Sequence, residues 1–213
     1  MSRLRRGAII LAGGNSVRMG WTDKALVNLG SKPLLAHIVQ RVADIVDAVT
    51  VVISKEGEID RYKTVLPGEV EVVKDTISEC GPVAGILTGA EASEADYTVV
   101  LPCDAPFVEP RVIGYLFESA LGADAAVPRW PSGYIEPLHS VYRVKALRRA
   151  GKVAFKGSNP PVRILIEGIG KVIYVPTREL RRFDSELLTF FNINTITDLE
   201  AARKMYMMLK SHR

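Results

Sequence analysis

An α/β fold, three-layered and Rossmann-like with a mostly parallel central sheet covered by helices, is what this sequence of 213 residues predicts. Apolar runs of strand length alternate with segments of helical period, the signature of βαβ units. Those runs lack the in–out alternation of a half-exposed sheet, so both faces of their strands should be covered. With 47% hydrophobic and 24% charged residues, the composition is that of an ordinary globular chain, long enough for one domain over 1–213 with a sizeable core.

Gly7–Ala12 (GAIILA) reads as the first buried strand and Thr50–Ser54 (TVVIS) as the second. Between them Pro33 should open a helix to about Val46 from a first-turn position, where its missing N–H costs nothing. Val70–Val73 is a third strand, Val83–Ala92 a helix, and Tyr97–Leu101 a fourth strand running into Pro102. A helix follows from Pro110 to about Leu121, then short strands near Ala125–Val127 and Pro137–Tyr142, and a helix from Val144. Lys152–Pro161, polar and carrying Gly157, Asn159 and two prolines, reads as a mobile loop of the kind that closes over ligands. Lys171–Val175 is a late strand, and Thr197 with Glu200 forms the expected capping box of a last helix reaching about Leu209.

The formal charge of +4 suits an anionic ligand, but the basic residues are scattered and no nucleic-acid-binding signature accompanies them. Cys80 and Cys103 lie far apart without CxxC spacing, which argues against a zinc site and a disulfide framework and fits a reducing cytoplasm. The apolar Ala8–Ala12 stretch after the basic start is too short for a signal core or a membrane span.

Two constellations carry chemistry. Directly after the first strand comes Leu11-Ala12-Gly13-Gly14-Asn15-Ser16-Val17-Arg18-Met19-Gly20, then Asp23-Lys24. In an open α/β sheet, ligands sit outside the carboxyl ends of the strands, where this loop must lie. Gly13 and Gly14 permit positive φ and let backbone N–H groups approach phosphate oxygens, while Arg18 and Lys24 add charge. The string is neither a Walker loop nor a GxGxxG fingerprint, which argues against a dinucleotide-dependent dehydrogenase. Taken alone, two glycines and two cations also describe a tight strand-to-helix turn.

The fourth strand ends Leu101-Pro102-Cys103-Asp104-Ala105-Pro106, bringing a carboxylate to the same sheet edge. Magnesium takes one or two carboxylates plus substrate phosphates, so Asp104 suffices as an anchor, although a strand-end Asp can equally cap a turn. Cys103 has no base nearby and should be a packed small hydrophobe. No Ser/His/Asp arrangement is present for nucleophilic catalysis.

LAGGxSxRMG with DKAL, the PCDAP segment, Asp75 followed by Gly81-Pro82-Val83-Ala84-Gly85-Ile86, Pro137-Leu138-His139-Ser140-Val141-Tyr142 and Asn192-Ile193-Asn194-Thr195 lie in order between residues 8 and 200. Together they resemble the MobA-like nucleotidyltransferases, the molybdenum cofactor guanylyltransferase family. The resemblance implies transfer of GMP from GTP to the phosphate of Mo-molybdopterin with release of pyrophosphate, using Mg2+. It implies nucleotide contacts at Leu11, Ala12, Gly13, Gly14, Lys24, Asp75, Gly81 and Asp104, catalytic roles for Asp104, Lys24 and Arg18, and metal contacts from Asp104 and Asn194, with Asn192 as the other candidate. It implies a nucleotide-binding half over about 1–108 and an acceptor-binding half over about 109–213, whose pocket would involve the loops Arg129–Glu136 and Gly151–Arg163. GTP and a phosphorylated pterin are the expected partners, with other cofactor-assembly proteins and without nucleic acid or membrane.

Where the family often has an Asn after the second strand, this chain has Ile53 and Ser54, so that nucleotide contact must differ. His139 is expected to be structural, satisfied by a hydrogen bond. Alternatives sharing the fold are a cytidylyltransferase for the same pterin, a guanylyltransferase for adenosylcobinamide phosphate, an enzyme for a sugar or polyol phosphate, and a non-catalytic GTP-binding partner in cofactor assembly.

Overall fold

The computed structural model describes residues 3–13, 23–77, 81–154 and 161–211. Gly14, Arg18, Cys80 and most of the loop expected over Lys152–Pro161 lie outside the described residues. Along the chain the strands are β1 (Arg6–Leu11), β2 (Asn28–Leu29), β3 (Lys32–Pro33), β4 (Ala48–Ile53), β5 (Glu71–Lys74), β6 (Tyr97–Pro102), β7 (Ala125–Arg129), β8 (Ser140–Arg143) and β9 (Val172–Pro176). The helices are α1 (Leu34–Val42), α2 (Ile59–Lys63), α3 (Gly81–Ala92), α4 (Pro110–Ala120), α5 (Val144–Ala154), α6 (Val162–Glu167), α7 (Thr177–Leu180) and α8 (Ile196–Ser211).

Seven strands form one sheet in the order β5-β4-β1-β6-β8-β7-β9. Its neighbours run parallel except β8, which is antiparallel to both β6 and β7. Successive residues of the central strands point to opposite faces. Ala8, Ile10, Val51, Ile53, Val99 and Leu101 therefore meet α1 and α4 on one side through Ile38, Val42, Ile113 and Leu116. Ile9, Val52 and Val100 meet α3, α5 and α6 on the other, through Ile86, Leu147 and Leu165. Two covered faces explain why the strands read as unbroken apolar runs, and they make the three layers that the sequence predicts.

The approach of α3 to the sheet depends on missing side chains. A Cβ at Gly89 would stand 2.5 Å from Ile9 Cγ2, and one at Gly85 would stand 3.1 Å from Leu11 Cδ2. The helix thus rides directly on β1 and carries its N-terminal end to the strand's carboxyl edge.

Several local expectations are corrected. Pro33 stands before the first turn of α1 with φ −60° and ψ 153°, as the last residue of the β2–β3 hairpin, and the helix stops at Val42 rather than Val46. Pro137–His139 is a 3-10 turn, and the strand begins only at Ser140. Residues 152–154 belong to α5, so the loop expected from Lys152 starts later. The final helix begins at Ile196, and its capping box is two residues earlier than expected. Asp198 N–H donates to Thr195 Oγ1 at 3.1 Å, while Asp198 Oδ2 accepts from Thr195 N at 2.7 Å and Asn194 N at 2.8 Å. Among the described residues, no helix is long and apolar enough to cross a membrane.

Candidate active site

Sheet order places the site. From β1 the chain crosses to β4 on one side, while β6 flanks β1 on the other, so a crevice opens between the carboxyl ends of β1 and β6. Leu11 pairs in register with Pro102, and Cys103 N–H donates to Leu11 C=O at 3.0 Å. Gly13 and Asp104, each two residues beyond that last pair, therefore leave the sheet on the same rim.

Lys24 reaches this rim from the opposite direction. Asp23 caps a 3-10 turn over Lys24–Leu26, accepting from Ala25 N at 3.1 Å, and Ala25 is buried beneath it. The turn aims the ammonium of Lys24 at Asp104 Oδ2, with which it forms an ion pair; both side chains are only 15% exposed. At that burial the pair is partly shielded from solvent and salt, unlike a surface bridge. Lys24 also donates to Asn194 Oδ1 at 2.9 Å, and Ile193 N–H donates to Asp104 C=O at 2.9 Å, which ties the 192–194 segment to the strand end. Lys24, Asp104 and Asn194 are thus brought together from positions 80 and 170 residues apart.

The second carboxylate oxygen, Asp104 Oδ1, is buried with no hydrogen-bond partner among the described residues. A buried anionic oxygen without a partner is costly and is the kind of atom a hard cation satisfies. No group of three or more His, Cys, Asp or Glu side chains gathers among the described residues. A cation held here would therefore need ligand oxygens from outside those carboxylates, which is how magnesium is commonly shared between one acid and substrate phosphates.

Gly13 has a different reason from the one the sequence suggested. It is not among the glycines with positive φ; a Cβ there would lie 3.0 Å from Ser54 N and 3.3 Å from Ile53 C. The backbone at the end of β4, at Ile53 and Ser54, thus lies directly against Gly13. Gly81, in contrast, takes φ +55° at the head of α3. Ala12 N–H donates to Val52 C=O at 2.7 Å, keeping the start of the loop pinned to β4.

Asp75 directly follows β5 on the same edge, and its Oδ1 accepts from Ile77 N and from Thr88 Oγ1, each at 3.0 Å. An added Cβ on Gly85 would lie 3.9 Å from Asp75 Oδ2 and 3.1 Å from Leu11 Cδ2, so this glycine stands between the acid and the end of β1. Cys103 is buried, and burial followed by the neighbouring Asp104 raises its thiol far above the thiolate range, consistent with a packed apolar role.

His139 departs from expectation. It is 1% exposed, yet neither ring nitrogen has a hydrogen-bond partner among the described residues. The Pro137–His139 turn drives the ring against Phe190, with centroids 5.3 Å apart, and burial lowers its pKa to about 3. Glu136 Oε2 stands 3.9 Å from Nδ1. Glu136 also accepts from Trp130 Nε1 at 2.7 Å, and burial raises its own pKa. Trp130 and Phe190, with ring centroids 5.8 Å apart, complete an aromatic group that the sequence did not single out. The only signal was the position of Trp130 and Glu136 within the Arg129–Glu136 loop.

The doubly wound sheet, with an acid, a lysine and an amide gathered at its switch point, defines a protein of the open α/β class, in which ligands bind outside the strand ends. More particularly, the chain belongs to the MobA-like NTP transferase domain family, whose model matches residues 8–167. A probable molybdenum cofactor guanylyltransferase of Methanosarcina mazei is 37% identical over 199 residues, covering 92% of this chain and 88% of the relative. One from Natronomonas pharaonis is 33% identical over 93% of this chain and 97% of its own length. Among solved structures, the molybdopterin-guanine dinucleotide biosynthesis protein A of Archaeoglobus fulgidus superposes with a TM-score of 0.81 at 28% identity, covering 95% of this chain and 99% of that one.

Proposed function

We propose that the protein transfers GMP from GTP to the terminal phosphate of molybdopterin, forming a pyrophosphate linkage and releasing inorganic pyrophosphate with magnesium as cofactor. One observation carries the reading: the Lys24 ammonium is held by both Asp104 and Asn194 at the switch-point rim, and the buried Asp104 Oδ1 has no hydrogen-bond partner among the described residues. The relatives named as molybdenum cofactor guanylyltransferases supply the nucleotide and the acceptor.

In this reading Asp104 and Asn194 would hold the magnesium, which would supply neutralisation of phosphate charge. Gly13 and Gly14 bring backbone to the triphosphate, with Leu11, Ala12, Asp75 and Gly81 flanking the nucleoside. Lys24 and Arg18 stabilise the charge that develops on the departing pyrophosphate, a task worth several kcal/mol when donors are already in place. No protein nucleophile is required, because a phosphate monoester with second pKa about 6 is already largely dianionic at neutral pH. The neutral, buried His139 is not a base for this step. The nucleotide is assigned to about 1–108, and the acceptor to about 109–213 with the Arg129–Glu136 loop. The chemistry is assigned to the cytoplasm, where the two cysteines would stay reduced.

A nucleotide panel tests the proposal: each NTP with magnesium, with and without molybdopterin, scored for pyrophosphate. Release from GTP only when the pterin is present is expected. Release from CTP instead would overturn the base assignment, and GTP binding without any release would overturn the enzyme.

A further inference from the structure

Tyr62 lies in α2, a short helix on the far side of β4 from the β1–β6 crevice, and no motif of the sequence points to it. Its ring is 4% exposed in the core between α1 and the sheet. Its hydroxyl nevertheless donates to Asp23 Oδ2 at 2.5 Å. Burial, then Asp23, raise the phenol far above its ordinary value, so it remains a neutral donor.

Asp23 is therefore held at both oxygens: Oδ1 by Ala25 N–H and Oδ2 by Tyr62. The carboxylate cannot rotate without breaking one of them. It directly precedes Lys24 and starts the turn that aims the ammonium at Asp104 and Asn194. A charge-assisted O–H···O− bond of this length belongs to the stronger class. With the ring locked by packing, the hydroxyl serves as a fixed point for the turn that begins at Asp23.

We infer that Tyr62 is a positioning residue for Lys24, acting through Asp23 on the nucleotide phosphates. It rests on the nucleotidyltransferase reading for the identity of the ligand. Tyr62→Phe keeps the ring in its place and removes only the hydroxyl.

The test is a double-mutant cycle on the dissociation constant for magnesium–GTP, using wild type, Tyr62→Phe, Lys24→Ala and the double variant, with melting temperatures measured on each. Tyr62→Phe should weaken nucleotide binding about tenfold. Because the hydrogen bond is already formed in the free protein, its loss should also lower the melting temperature by a few degrees in both backgrounds, while the binding loss appears only where Lys24 is present. In the Lys24→Ala background the same change should have almost no effect on binding, because the group being positioned is gone. The Michaelis constant for the acceptor should not move in Tyr62→Phe. Equal binding losses in both backgrounds, or none in either, would overturn the inference. Pyrophosphate release by wild type is scored in parallel, so the transferase reading can fail while the coupling between Tyr62 and Lys24 stands, and the reverse.

Discussion

Lowering the pH from 7.5 to 5.0 should cost the fold about 2 kcal/mol through His139. Burial lowers the pKa of this imidazole from 6.5 to about 3; neither nitrogen has a hydrogen-bond partner among the described residues, and the Glu136 carboxylate stands no nearer than 3.9 Å from Nδ1. In the unfolded chain the ring titrates normally. Between those two pKa values the unfolded state binds a proton that the folded state refuses, so stability rises with pH in that window and is fully present above 6.5. Each pH unit is worth about 1.4 kcal/mol, and 1.5 units separate 6.5 from 5.0, which gives the figure. His37, also lowered by burial, adds to the loss. Glu136, raised by burial, opposes it, since a raised carboxyl contributes stability below its unfolded pKa and loses it as pH rises. Comparison with His139→Phe cancels what the two proteins share and keeps an aromatic ring against Phe190. Urea unfolding at both pH values is the assay. The variant should lose about 2 kcal/mol of the pH difference; a variant with the wild-type difference would refute the reasoning.

Two helix glycines should respond with opposite sign. Gly114→Ala meets nothing within 4 Å and should stabilise by about 1 kcal/mol, or roughly 2–4 °C in Tm. Gly89→Ala gains the same propensity but drives a Cβ into Ile9, a stiff side chain inside the sheet, and should lower Tm. Asp198→Ala removes the acceptor for the N–H groups of Asn194 and Thr195 and should cost about 1 kcal/mol in denaturant unfolding. Slight burial pushes the Asp198 carboxyl up, but those donors, the Thr195 hydroxyl and nearby Lys24 outweigh it and hold it below its ordinary value. Its stabilisation is accordingly present above the unfolded pKa and should fade as pH drops through the folded one.

The central strands were legible because packing on both faces leaves a continuous apolar run. The shared rim of Gly13 and Asp104 was legible because both lie just past strand ends, which those runs reveal. Elements decided by only a few residues were not. The Asn28–Pro33 hairpin has strands of two residues, and α2, α6 and α7 are too short to show a helical period. Pro33 satisfied a general preference for the first helical turn, but the hairpin holds it extended, and Leu34 N–H pairs with Val27 C=O at 2.9 Å. The capping box moved from Thr197 to Thr195 because Asp198, by reaching back, satisfies two free N–H groups at once. Tyr62 and Asp23 are 39 residues apart, and nothing local in the sequence marks a partner at that distance. His139 shows the limit from the other side, since the rule that buried polar groups find partners would have placed a hydrogen bond that is absent among the described residues.

The proposed chemistry depends most directly on Asp104. Steady-state pyrophosphate release by Asp104→Ala, with saturating GTP, magnesium and molybdopterin, should fall by roughly two to three orders of magnitude, while circular dichroism and thermal unfolding stay close to wild type. A folded variant that releases pyrophosphate at near the wild-type rate would contradict it.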